Sequence, residues 1–306
     1  MFDLGTSYMM EAKSHIPVML NEVLGYLNLK PGQTIVDATI GTGGHSQKIL
    51  ERISVGVRLI GIDRDAESLD IARERLKEYS NVCNFIHGNF SDIDVILESL
   101  NVRKIDGILL DLGVSSFQLD NPSRGFSFQN EGPLDMRLDR NNYISAYDLL
   151  NNLNEDEIST LLWNFGQEKW HNRIARLLVK EREKHPIATT KELSNIVVRA
   201  IPPKYRHYRI HPATRTFQAV RIAVNRELEN IEKGINKMVD FLNPGARMCV
   251  ISFHSLEDRI VKFSFRNFQS LEKIRIITPK PLTPTPEEIK ENPSSRSARL
   301  RVAERI

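Results

Sequence analysis

Four short apolar runs punctuate the first third of the chain, at 34–38, 57–62, 82–86 and 105–110. Each is short and bounded by turn residues or charge, which reads as a strand. Between them, Ala66 to Glu78 and Ser91 to Leu100 repeat apolar positions on one helical face, with Ser91 placed as an N-cap. A helix over Val18 to Leu29, stopped by Pro31-Gly32, precedes the first strand. Strands alternating with helices predict an α/β fold, a doubly wound, mostly parallel sheet.

The alternation then breaks. From Leu112 to Tyr143 no period holds, and Gly, Ser, Asp, Asn and Pro surround Phe117, Phe126 and Phe128. A loop of about 30 residues after strand 4 predicts a lid or binding loop. Residues 145–201 are helical throughout. Asn154 precedes Ile158, Leu161, Leu162 and Phe165, and Gly166 ends that helix. Trp170, Ile174, Leu177 and Leu178 mark a second, and Thr190 starts a third with Leu193, Ile196 and Val197. This predicts an all-helical insertion over 141–209, splitting the sheet domain into 1–140 and 210–306. Pro212 opens one long helix running to Ile235, and Asn243-Pro244-Gly245 turns the chain into a strand at Met248 to Ser252. Ser255 is placed as the cap of a further helix, with Glu257 and Asp258 in its first turn. Ile274 to Ile277 and Leu300 to Ala303 complete the strands, and 279–293 reads as a surface loop.

Composition narrows the class. At 41% hydrophobic and 26% charged residues, the chain has a globular balance. No apolar run approaches the ~18 residues of a membrane span. Met1 to Ser14 carries acids and no apolar core, unlike a secretory signal, and Met9 and Met10 are alternative starts that would leave 1–8 as an extension. Cys83 and Cys249, both in apolar runs, read as buried thiols in a reducing, cytoplasmic setting. Net charge is only +3, but residues 169–226 hold 14 Lys and Arg against three Glu, while the remainder is net acidic. That block suggests one face meeting a polyanion; the plainer alternative is a set of solvated helix faces.

The candidate chemistry begins at Val36-Asp37-Ala38-Thr39-Ile40-Gly41-Thr42-Gly43-Gly44-His45, where an apolar run ends in an acid and a glycine turn. A second run, Leu59-Ile60-Gly61-Ile62, ends in Asp63. Strand, glycine turn, helix, strand and terminal acid form a nucleotide-type site, in which the second acid can accept ribose hydroxyls. The third glycine of a dinucleotide fingerprint is missing, and Asp37 is a poor neighbour for pyrophosphate but a good one for a cationic amino group. The turn therefore favours S-adenosylmethionine; a dinucleotide and a purely structural turn are the rivals.

Seven motifs in order then carry a resemblance. They are Gly41-Thr-Gly-Gly-His-Ser46, Ile62-Asp-Arg-Asp65, Lys104-Ile-Asp-Gly-Ile-Leu-Leu-Asp-Leu-Gly-Val-Ser-Ser116, Arg124-Gly-Phe-Ser-Phe128, Gly132-Pro-Leu-Asp-Met-Arg137, His211-Pro-Ala-Thr-Arg-Thr-Phe-Gln-Ala-Val-Arg221 and Ile251-Ser-Phe-His-Ser-Leu-Glu-Asp-Arg259. From about His15 onward the chain resembles the bacterial 16S rRNA (cytosine-N4) methyltransferases. The resemblance implies a class I, Rossmann-like methyltransferase domain using S-adenosylmethionine. Gly43, Gly44 and His45 would hold the methionine end, Asp63 the ribose and Phe90 the adenine, with Asp111 and Gln118 completing the pocket. The implied partner is 16S rRNA, within the small ribosomal subunit or a late assembly intermediate; no membrane is implied, and a homodimer is left open.

The acceptor amine of such a reaction is a weak nucleophile, so alignment, hydrogen bonds to its N–H groups and removal of its proton all help. Many amino-methyltransferases place an Asn/Asp-Pro-Pro-aromatic motif after strand 4; here Asp111-Leu-Gly-Val-Ser115 stands instead. Asp111 is expected to order the pocket. Ser115 and Ser116 are candidate acceptors for the amine or else turn formers. His254 takes the proton or merely caps the next helix. The base must be unpaired or flipped out, and Phe126 and Phe128 are candidates to stack on it, with core packing as the alternative. Lys204-Tyr-Arg-His-Tyr-Arg209 mixes cations with rings as single-strand binders do, which makes Lys204, Arg206, Arg209 and Arg215 candidate RNA contacts. Arg215 and Arg221 share no face, and at least one is expected to pair with an internal acid. Other functional classes compatible with the sequence are a non-catalytic RNA-binding ribosome-assembly factor and a dinucleotide-dependent oxidoreductase.

Overall fold

The structure, a computed structural model, describes residues 16–53, 55–206 and 210–306. The alternative starts and Arg209 lie outside the described residues. Seven strands form one sheet: β1 Thr34–Asp37, β2 Arg58–Asp63, β3 Cys83–His87, β4 Ile105–Asp111, β5 Leu242–Ser252, β6 Ile274–Ile276 and β7 Arg299–Arg305. Their order is β3-β2-β1-β4-β5-β7-β6. The first five are parallel, and β7 runs antiparallel between β5 and β6. The order reverses direction between β1 and β4, where ligands collect in doubly wound sheets.

The strands are apolar throughout because both faces are covered. Successive residues alternate between two cores. Ile35 and Leu59 face α1 Leu20–Tyr26, α2 Gly44–Arg52 and α3 Ala66–Arg75. Val36 and Ile60 face α4 Ile93–Ser99 and the helices that follow the insertion. After the short α5 Ser116–Asp120, a third core belongs to the helical unit, formed by α6 Ala146–Asn152, α7 Glu155–Gly166, α8 His171–Arg182, α9 Thr190–Ala200 and α10 Thr214–Asn225. It gathers Leu150, Leu162, Leu178 and Leu193, and also Phe126, Leu134, Met136, Phe217 and Val220. Its apolar contacts thus reach both sides of residues 141–209.

Several elements differ from expectation. The long helix from 212 to 235 is two helices, α10 and α11 Glu227–Phe241. They meet at Arg226, which adopts a left-handed φ of 50°. Buried Asn225 explains the elbow: its Oδ1 accepts the Leu138 N–H and its Nδ2 donates to Met136 O, so the bend anchors the long loop. The cap before α4 is Asn89, which opens a 3₁₀ turn over Phe90–Asp92, rather than Ser91. His254, not Ser255, caps α12 Ser255–Ser270. β5 begins at Leu242 with a register break opposite Ile105 and Gly107, so Asn243-Pro244-Gly245 lies within the strand. The expected surface loop at 279–293 contains α13 Pro286–Glu291.

The stretch from 112 to 143 is pinned rather than free. α5 and a 3₁₀ turn at Pro122–Arg124 shape its start, and Pro133 bridges to Thr189. A Cβ on Gly125 would stand 2.2 Å from the Pro133 carbonyl oxygen, and φ there is +70°, so only glycine permits that fold-back.

Candidate active site

Three carboxylates stand at the C-terminal ends of adjacent strands: Asp37 on β1, Asp63 on β2 and Asp111 on β4. Asp37 accepts the Ser46 hydroxyl at 2.7 Å. Asp63 accepts the N–H groups of Gly41 at 2.7 Å and Asp65 at 2.9 Å. The Asp111 N–H donates to Thr39 Oγ1 at 2.6 Å, and its carboxylate Oδ2 lies 3.6 Å from His45 Nδ1. Its other oxygen, Oδ1, is buried with no hydrogen-bond partner among the described residues, although a quarter of the side chain still meets solvent. Burial pushes the Asp37 and Asp63 carboxyls up to about 6. Burial, with Asp37 and Glu257 nearby, pushes Asp111 up to about 8.

Among the described residues no lysine or arginine pairs with any of the three. Buried carboxylates without a cation are costly, and a bound cation offsets that cost. A positively charged ligand at this sheet edge therefore fits the donor set, and a pyrophosphate does not.

The turn that closes the site is shaped by backbone. Gly43 has φ +83° and caps α2, and a Cβ there would meet Ala72 at 3.4 Å. A Cβ on Gly44 would stand 2.9 Å from Pro17. His45 is buried, with Nε2 at 2.9 Å from Val18 O, which sets that nitrogen as the donor. The N-terminal segment thus packs onto the glycine turn.

A second network ties this turn to the segment after β4. Asp65 caps α3 and accepts from Gln118 Nε2 and Arg124 Nη1, each at 2.7 Å. Gln118 Oε1 in turn accepts the Ser115 N–H, while Ser115 Oγ accepts the Gln118 N–H, a capping box for α5. Arg124 is fully buried and also donates to the Arg137 and Leu138 carbonyls. Ser115 therefore forms the turn, and Ser116 is the first residue of α5 beside it. Phe90 lies at the start of its 3₁₀ turn, packed so closely on α11 that a Cβ on Gly234 would stand 2.7 Å from its ring.

The expected acceptor side changes more. Phe126 is not a stacking platform: it is buried in the helical core, its ring 5.8 Å from the Arg124 guanidinium. Phe128 stacks on His211 at 4.5 Å and meets Phe217 edge-on at 5.0 Å. Arg206 spends its guanidinium on the Ile201 and Arg199 carbonyls. Arg215 is exposed and donates to Gln167 O, and Lys204 is exposed over the Tyr205 ring. Arg221 pairs with Glu227 through two 2.9 Å bonds, the internal pairing expected for one of the two arginines.

His254 is a cap. Its Nδ1 accepts the Glu257 N–H, and its Nε2 lies 3.1 Å from Glu257 Oε1. Both ring nitrogens thus stand beside Glu257, which fits the capping reading rather than a proton acceptor for a bound base. Burial alone would raise the Glu257 carboxyl, but His254 and Arg221 hold it below the usual range. Glu227, His254 and Glu257 bring ligand-type atoms within 4.8 Å of one another. Arg221 already occupies both oxygens of Glu227, so this is a compensated charge cluster.

Sequence reasoning missed Asp65 and Arg124. Asp65 carried a readable signal, an acid just before a helix, but nothing in the spacing marks Arg124 as its buried partner.

The MraW methylase family model matches residues 12–306. Ribosomal RNA small subunit methyltransferase H from Halothermothrix orenii is 47% identical over 307 residues, covering 95% of this chain and 98% of that protein. The proteins of the same name from Sulfurihydrogenibium sp. and Persephonella marina are 49% and 50% identical, each over 292 residues and 99% of its own length. Among solved structures, an rRNA methylase from Streptococcus thermophilus is a remote likeness, with a TM-score of 0.43 at 10% identity over 94% of this chain and 93% of that one.

Proposed function

We infer the activity from the premise that this chain belongs to the MraW methylase family: it is an S-adenosylmethionine-dependent methyltransferase that modifies the exocyclic N4 of a cytidine in small-subunit rRNA. The observation that carries the chemistry is the trio of raised carboxyls at the sheet edge, none of them paired with a lysine or arginine among the described residues. When bound, S-adenosylmethionine supplies a methyl group on a positively charged sulfur. Gly43, Gly44 and His45 would hold its methionine end, Asp63 the ribose and Phe90 the adenine. Gln118 acts by positioning, since its amide already braces Asp65 and Ser115.

Asp111 is the candidate catalytic residue. Its carboxylate, in a side chain a quarter open to solvent, can accept an N–H of the cytidine amine, which pushes electron density onto nitrogen. A cation in the pocket favours the Asp111 carboxylate; loss of that positive charge raises its proton affinity as the amine sheds a proton. Ser115 and Ser116 start α5 just after the strand that ends in Asp111. Lys204 and Arg215, exposed on the helical unit, are assigned to the RNA backbone, and the helical unit to RNA recognition. The substrate is placed within the small subunit or a late assembly intermediate, and the setting is the cytoplasm; no helix among the described residues is long and apolar enough to cross a membrane.

Nucleoside mass spectrometry on small-subunit rRNA from cells with and without the gene tests this. N4-methylcytidine should be missing at one site without the protein and return on incubation with it. Identical nucleoside profiles would leave the RNA-binding assembly-factor reading instead.

A further inference from the structure

A second cleft opens at the end of β5, on the same sheet edge as Asp111. Asp111 pairs with Ile251, and a Cβ on Gly113 would touch the Phe253 ring at 3.6 Å, so the cleft stands one strand over from the catalytic carboxylate. It encloses about 350 Å³ between the turn at Phe253–Ser255 and residues 296–299, with Thr283 contributing. No carboxylate lines it.

Its charge is only partly compensated. Arg299 donates to Asp258 at 3.1 Å, but Arg301 binds the same carboxylate at 2.7 and 3.2 Å. One negative charge thus serves two guanidiniums. Arg296 is exposed and meets no carboxylate among the described residues. The hydroxyls of Ser255, Thr283 and Ser297 add neutral donors. The first N–H groups of the 16-residue α12, at Ser255 and Leu256, point into no acceptor among the described residues, while His254 takes only that of Glu257. Two arginines, hydroxyls and a helix N-terminus converging on one polar cavity form a site for a phosphate-bearing group.

We propose that this cleft receives a backbone phosphate of the RNA strand beside the target cytidine, and so holds the strand while the base enters the Asp111 pocket. The proposal rests on the rRNA methyltransferase reading above. It supplies what the buried Phe126 cannot: a grip on the strand close to the reacting base. A phosphate contact of this kind positions the strand without reading its sequence.

The test uses the full chain and the small-subunit rRNA that the wild type methylates. RNA affinity is measured between roughly 50 and 200 mM salt for Arg296→Gln, Arg299→Gln and Arg299→Lys, a span over which phosphate-driven binding falls measurably, with donor affinity by calorimetry. Arg296→Gln and Arg299→Gln should each weaken RNA binding about tenfold and flatten the salt slope by about 0.7, as for one lost single-strand phosphate contact. Arg299→Lys, which keeps the charge and the reach to Asp258, should retain most of the affinity. Donor affinity should stay within about twofold, which guards against misfolding. Unchanged RNA binding and slope in both Gln variants, with the wild type active, would overturn the cleft and leave the methyltransferase reading intact. A wild type that neither binds nor methylates rRNA overturns both.

Discussion

At the scale of single residues, function and stability pull against each other at Asp111. A carboxylate with one oxygen buried and unpartnered weakens the free protein and prepares it for a cationic ligand. Asp111→Asn keeps the shape and removes the charge. It should stabilise the unliganded protein by about 1–3 kcal/mol at pH 8. The same change should lower donor affinity and methyl transfer at least about tenfold, as expected of a charge-assisted contact. Thermal melting and single-turnover transfer check the pair; lower stability with normal turnover would make Asp111 a structural residue. Much of this residue-level picture was legible in advance. Asp37, Asp63 and the glycine turn announce themselves because strand ends and φ-permissive turns have short-range signatures. For Phe126 the sequence left core packing and stacking open, since an aromatic in a loop reads alike whether it faces RNA or a core formed by helices far along the chain. The role of His254 as a cap was one of two readings the spacing allowed, and only the positions of both ring nitrogens separate them.

Among the elements, the α3 N-terminus is joined to α5 by Gln118 and to the 3₁₀ turn after it by Arg124, whose buried ion pair with Asp65 bridges the donor side and the segment after β4. Removing one partner leaves the other charge stranded. Arg124→Met should therefore cost about 3–5 kcal/mol, read by chemical denaturation. Adding Asp65→Asn to that variant should recover part of the loss, because the stranded charge goes with it. Equal destabilisation by the single and double variants would show that the carboxylate is not the cause. The strands and most helices followed from periodicity alone. The elbow at Arg226 did not, because apolar spacing runs smoothly across it, and the tertiary bonds of Asn225 impose the break.

Over the whole molecule, the three raised carboxyls make stability and ligand binding depend on pH together. An unfolded Asp titrates near 3.8, whereas Asp37 and Asp63 titrate near 6 and Asp111 near 8 in the fold. Between those values the native state holds more protons, so the contribution of the trio to stability falls as pH rises from about 4 to 8. A cation in the pocket reverses the penalty. The melting-temperature gain from S-adenosylmethionine should thus grow from pH 5 to pH 8, with proton release on binding that calorimetry in buffers of different ionisation enthalpy detects. A gain that is flat or shrinking over that range would mean the trio does not hold the positive charge. The fold class was legible because strand and helix alternate locally, while the reach of the helical core beyond 141–209 depends on contacts between distant segments.

The chain leaves the sheet at Asp111 and returns at Leu242 to pair β5 beside β4. Closing so long an excursion costs entropy before the strand contacts reward it, and such pairings form slowly. A helical unit packed between them brings the two ends closer and shortens the loop that remains to be closed. On that argument the inserted helices would aid assembly of the sheet, a folding role separate from the RNA recognition proposed for them. Lesions in the helical core would slow the birth of the donor site without touching one of its residues.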